Sequence, residues 1–197
     1  GVGLSVRKAR ILSSGNAPTE VTLEVTRESY TLPFGLLELA DWDAYEYTAD
    51  GDNLNAIVSK KNKLITEYYP ADLVDLNKDY LLYTNIPGIT LRKEAADALK
   101  IMLSDLKKET GKDIVIASGF RSFNDQYKQY AYWVKELGQE EADKISARPG
   151  YSEHQLGTAV DFMSEDSGFD FTNELDKTAA GIWLRGNSHK YGFIQSY

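Results

Sequence analysis

Polar and apolar residues alternate over Thr19–Arg27 (Thr-Glu-Val-Thr-Leu-Glu-Val-Thr-Arg), a period of two that predicts a half-buried strand. The cluster Ser13-Ser-Gly-Asn-Ala-Pro18 before it is a turn, and Leu4–Leu12 reads as the preceding strand. Asp50-Gly-Asp-Asn53 marks a boundary, after which residues 54–74 mix short apolar runs with Pro70 and predict ordered loop. The period then lengthens. Leu91, Ala95, Leu99, Met102, Leu103 and Leu106 recur at helical spacing, with Thr90 as the expected cap and Gly111 as the stop. Asp113–Ala117 is a short, nearly continuous apolar run, hence a buried strand. Ser122 is placed to cap a second helix reaching about Leu137, with Asp125 at its third position and Gly138 ending it. A short helix over Glu140–Ile145, the loop Arg148-Pro-Gly150, a strand over Leu156–Phe162 and a last helix over Asp176–Tyr191 complete the reading.

Composition narrows the function classes. The chain of 197 residues is 42% hydrophobic, ordinary for a protein that buries a core. Its net charge of −8 and its isolated basic pairs, Lys60-Lys61 and Lys107-Lys108, argue against nucleic-acid binding, which needs clustered cations to displace counterions. The absence of cysteine removes disulfides, thiolate metal ligands and cysteine nucleophiles. No run approaches the roughly 18 apolar residues needed to span a bilayer, and Gly1–Leu4, followed by Arg7, Lys8 and Arg10, does not read as a signal peptide.

The candidate chemistry centres on two histidines. His154 lies in Ser152-Glu-His-Gln-Leu-Gly-Thr-Ala-Val-Asp161, seven residues before Asp161, with Gly157 and Ala159 leaving room for close backbone approach. That spacing suits two ligands of a metal, but a catalytic zinc usually has three protein ligands. By spacing alone, a satisfied histidine and a turn acid fit as well. Arg121, at the end of Ser118-Gly-Phe-Arg, is either an anion-holding group or one half of a structural ion pair. His189 is expected on the surface near a helix C-terminus.

Taken in order, Ser118-Gly-Phe-Arg-Ser122 with Gln126, Ser146-Ala-Arg-Pro-Gly150, Ser152-Glu-His154, Gly157, Asp161, Trp183-Leu184, Asn187 and Tyr191-Gly-Phe-Ile194 form one series. It resembles the VanY-like D-alanyl-D-alanine carboxypeptidases, whose zinc fold is similar to that of the D-Ala-D-Ala dipeptidases and the hedgehog signalling domain. The resemblance covers about residues 54–197. It implies an α+β fold, a small antiparallel sheet with flanking helices, with residues 1–50 as a β-rich N-terminal extension outside that core and residues 51–197 as the peptidase domain. It implies that His154 and Asp161 are zinc ligands, that Arg121 stabilises charge on the substrate, and that Gln126 and Ser152 bind the peptide. It gives Glu153 no role.

The family pattern continues past Tyr-Gly-Phe-Ile into a Glu-x-x-His segment that supplies the general base and the third zinc ligand. The chain stops at Tyr197 without that segment, so residues 1–197 alone are expected to have little or no peptidase activity. For the complete protein, the resemblance implies zinc-dependent removal of the terminal D-alanine from peptidoglycan stem peptides, by D,D or L,D cleavage, outside the cytoplasmic membrane of a bacterium. The alternatives are a cell-wall peptide-binding module without turnover and a metal-structured interaction domain.

Overall fold

The structure, a computed structural model, describes residues 5–8, 47–54, 56–164, 166 and 175–195. The strand expected over Thr19–Arg27 lies outside them.

Four strands form the main sheet: β1 (Ser5–Lys8), β6 (Val115–Ser118), β7 (Val160–Met163) and β8 (Phe193–Gln195), in the order β6-β7-β1-β8 with every neighbour antiparallel. For Ser5–Lys8 this corrects the expectation of an N-terminal segment outside the core, because β1 lies between β7 and β8. A strand so placed supplies hydrogen bonds on both edges, and period-two patterning does not reveal which strands will be its neighbours. Two smaller pairs flank the sheet: β2 (Tyr47–Thr48) with β3 (Asn62–Lys63), and β4 (Leu73–Asp75) with β5 (Thr90–Arg92). Residues 54–74 are therefore mostly, but not wholly, loop.

Helix α1 (Lys93–Thr110) carries the expected stripe, and Ala95, Leu99, Met102 and Leu106 are all buried. It starts two residues later than expected, with Arg92 in place of Thr90 at the cap position. Thr90 is held in β5, and the first helical N–H, that of Lys93, donates to the Asp72 carbonyl, so the cap comes from across the fold. Helix α2 (Phe123–Leu137) begins as read: the Ser122 hydroxyl accepts from the Asp125 N–H, and Gly138 ends it before α3 (Gln139–Ile145). The single helix expected over Asp176–Tyr191 is instead three pieces. A turn at Leu175–Lys177 leads to Thr178, which caps α4 (Ala179–Asn187), and a tight turn at Ser188–Tyr191 follows. In α4, Gly186 is exposed and a methyl group there would meet nothing within 4 Å. Gly186→Ala should therefore raise the unfolding free energy by about 0.5–1 kcal/mol in urea titration, since alanine loses less backbone freedom in a helix.

The core separates the faces of the sheet. Ile116, Val160, Phe162 and Phe193 pack with Leu99, Met102, Leu106, Trp183 and Leu184, so α1 and α4 cover one face. Val115, Ala117 and Met163 form a small cluster of their own. Since side chains alternate along a strand, Asp161, between Val160 and Phe162, belongs to the face away from α1 and α4.

Candidate functional site

That second face is where the chemistry gathers, and a bulge brings it there. In the β6–β7 ladder Val115 pairs with Met163 and Ile116 with Phe162, but the next pair is Ser118 with Asp161. Ala117 is an extra residue in β6. In a ladder without the bulge, Ala117 would pair with Asp161 and Ser118 would stand opposite Val160 on the core side. The bulge turns Ser118 onto the face of Asp161, as bulges beside functional sites commonly re-aim a side chain.

His154 reaches the same place from a turn, Glu153–Leu156, closed by Gly157 at φ 72°. The left-handed glycine bends the chain sharply, so the strand expected from Leu156 starts only at Val160. Room at Gly157 serves packing and not an ion: a Cβ there would stand 3.0 Å from Arg92, 3.1 Å from Leu73 and 3.2 Å from Pro70.

The His154 ring is held from behind. Its Nδ1 lies 2.6 Å from the Gly119 carbonyl and 3.5 Å from the Ser118 hydroxyl. A carbonyl only accepts, so Nδ1 carries a proton, and in the neutral ring Nε2 presents a lone pair. That lone pair faces Asp161 Oδ2 at 3.3 Å. Two acceptors aimed at one another call for a cation between them or a proton on one. A tetrahedral zinc with bonds of about 2.0–2.1 Å holds its ligand atoms about 3.3–3.4 Å apart, so the pair fits two corners of such a site. The carbonyl behind the ring is the outer support that zinc-bound histidines ordinarily have. Among the described residues no third His, Cys, Asp or Glu joins them. His189 is exposed on the turn after α4.

Arg121 stands beside this pair. Its backbone N–H donates to the His154 carbonyl at 3.1 Å. Its guanidinium donates from one nitrogen to Gln126 Oε1 at 2.8 Å and from the other to Ser118 Oγ at 2.9 Å. Burial pulls the Arg121 pKa down, while Asp161 and Asp125 pull it back up; a guanidinium nevertheless stays charged in a protein. The site thus holds a fixed cation in a partly dry setting, where its attraction for an anion is stronger than in water.

Gln126 is 1% exposed and has both ends of its amide engaged: Oε1 by Arg121, and Nε2 by the Ala147 carbonyl at 2.7 Å and Ser146 Oγ at 3.4 Å. Ser152 is buried at the start of the His154 turn, and no hydrogen bond among the described residues ties its hydroxyl to Arg121, Gln126, His154 or Asp161. The structure therefore brings four of the five expected residues into one network. It adds Ser118 and the Gly119 carbonyl, which sequence reasoning passed over. Their only sequence signal was membership of the Ser-Gly-Phe-Arg motif, because a bulge and a backbone carbonyl leave no residue pattern of their own.

A family model described as VanY, D-alanyl-D-alanine carboxypeptidase, matches residues 88–197. The chain belongs to this family. It is 38% identical over 155 residues to the putative carboxypeptidase YodJ of Bacillus subtilis (strain 168), spanning 79% of this chain and 56% of that protein. Among solved structures it is similar to the LdcB LD-carboxypeptidase, with a TM-score of 0.68, 34% identity, and coverage of 85% of this chain and 73% of the other. It is also similar to a mutant of the vancomycin-resistance D,D-pentapeptidase VanY in complex with Zn(II), with a TM-score of 0.53, 26% identity, and coverage of 70% and 73%. The chain spans about half the length of the curated relatives it matches. The α+β architecture of the VanY-type peptidases agrees with the sheet and helices described above. No helix among the described residues is long and apolar enough to cross a membrane.

Proposed function

We propose that the chain is the peptidase domain of a zinc-dependent carboxypeptidase that removes the terminal D-alanine from peptidoglycan stem peptides. The observation that carries this reading is His154 Nε2 facing Asp161 Oδ2 at 3.3 Å with the Arg121 guanidinium locked alongside. His154 and Asp161 would hold the zinc. When bound, zinc supplies Lewis acidity and an activated water. Arg121 would steady the negative charge of the peptide, either its terminal carboxylate or the oxygen that becomes anionic at the scissile bond. Ser118 and Gln126 fix the guanidinium before the peptide arrives, so little ordering is left to do on binding. Ser152 would form part of the pocket wall. The substrate lies outside the cytoplasmic membrane, and the reading places the protein there too.

The solved relatives include an LD-carboxypeptidase and D,D-peptidases, so the penultimate residue of the substrate is an open choice that pairs of stem peptides decide. The test uses protein purified from its own organism and loaded with zinc, given pentapeptide and tetrapeptide stems. Release of D-alanine from one of them is expected. Binding of a stem without any release would reduce the protein to a cell-wall peptide-binding module, and neither binding nor release would end the reading.

Arg121→Lys keeps the charge but loses the two-pronged grip on Ser118 and Gln126. Stem-peptide affinity in calorimetry should drop by about tenfold while zinc affinity is unchanged.

A further inference from the structure

Gln126 holds Arg121, and the loop Ser146–Gly150 holds Gln126, through the Ala147 carbonyl. What holds the loop lies outside the site. Arg148 grips Asp143 with two parallel hydrogen bonds, Nε to Oδ1 at 2.7 Å and Nη2 to Oδ2 at 2.6 Å. The hydroxyl of Tyr130, from α2, donates to the same carboxylate at 2.8 Å. Lys60, from the segment before β3, reaches the Asp143 carbonyl at 3.4 Å. Asp143 in α3 is therefore a junction between α2, α3 and the loop, and neither it nor Arg148 has a place in the proposed chemistry.

We propose that Asp143 and Arg148 are positioning residues for Arg121, acting through the Ser146–Gly150 loop and Gln126. A fork of two charge-assisted bonds fixes the direction of the loop as well as its distance. The two side chains are about a quarter to a third exposed, at 26% for Arg148 and 31% for Asp143, so the pair is screened by solvent and adds only modestly to global stability. Its effect is local. With the fork in place, the Ala147 carbonyl stays where the Gln126 amide nitrogen can reach it. That orients the amide so that its oxygen, and not its nitrogen, faces Arg121. An amide flipped end over end would point donors at a guanidinium that has only donors. The fork thus selects the side-chain orientation on which the Arg121 geometry depends.

The inference rests on the reading of Arg121 as the group that meets the peptide, and the experiment separates the two. In substrate-free protein, side-chain nitrogen NMR should show hindered rotation of the Arg121 guanidinium. Asp143→Asn, Arg148→Lys and Gln126→Ala should each free it. Arg148→Lys keeps charge and bulk and carries the test if Asp143→Asn does not fold. Stem-peptide affinity should fall by about tenfold in each variant, and Asp143→Asn should add nothing further in a Gln126→Ala background. An Arg121 signal unchanged by both Asp143→Asn and Arg148→Lys would overturn the inference, as would an affinity loss that adds in full to that of Gln126→Ala. Failure of the unaltered protein to bind any stem peptide would refute the function reading alone, since the NMR comparison still decides whether Asp143 and Arg148 position Arg121.

Discussion

The His154→Ala protein is expected to bind zinc at least about a hundredfold more weakly than the unaltered chain, the largest functional effect of any single substitution proposed here. The loss of an outer support costs a zinc site about 10–100-fold, and the loss of a ligand costs more. Nε2 is one of two donor atoms that meet at 3.3 Å, so its removal leaves Asp161 as the sole member of the pair. Chelator competition measures the change directly. Asp161→Asn should weaken zinc binding as well, because it removes the negative charge that favours the ion. Zinc affinity unaltered in both variants would mean that the facing pair is a structural contact and that the metal, if any, binds elsewhere. The measurement does not depend on turnover, so it reads the site and not the rest of the reaction.

Gly119→Ala should damage fold and site together. A Cβ at this position would stand 2.5 Å from the Thr90 carbonyl oxygen and 2.8 Å from an Ile89 methyl group. The nearer obstacle is backbone. It is also the acceptor for the Phe120 N–H at 2.7 Å. To admit the methyl group, β5 must move away from the end of β6, which strains that bond and shifts the Gly119 carbonyl behind His154. The expected cost is about 2–4 kcal/mol of unfolding free energy, from overpacking and a weakened buried hydrogen bond. Zinc affinity should fall by about tenfold or more through the displaced ring support. Urea titration and chelator competition on the same sample give both numbers. A stable Gly119→Ala protein with unchanged zinc affinity would show that the segment shifts freely and that the carbonyl is not what sets the ring.

Much of the local structure was legible in the chain. The stripe from Ala95 to Leu106 matches the buried face of α1, and Ser122 and Gly138 bound α2 as their chemistry requires. These signals are short in range: a cap bonds a few residues away, and a helical stripe needs only an apolar surface somewhere to meet. Readings failed where a distant segment intervened. Thr90 is a good cap by type, yet β4 recruits it into a strand, and the Asp72 carbonyl takes over the capping. The last helix is interrupted by a local signal instead: Thr178 caps a new start at Ala179, its hydroxyl accepting from the Gly181 N–H.

The site divides in the same way. The ordered motifs pointed to Arg121, Gln126, Ser152, His154 and Asp161 through their resemblance to a family, while the spacing of His154 and Asp161 by itself fitted a structural pair as well. The arrangement belongs to the tertiary structure alone. A one-residue bulge at Ala117 decides that Ser118 faces Asp161, and the Gly119 carbonyl decides which ring nitrogen of His154 is free. Pairing with β7 and β8 decides that Ser5–Lys8 lies inside the sheet. Each of these brings a backbone group to a partner far away in the chain. Every residue carries the same backbone N–H and C=O, so sequence specifies which side chains are available, and only the folded chain specifies which backbone groups meet them.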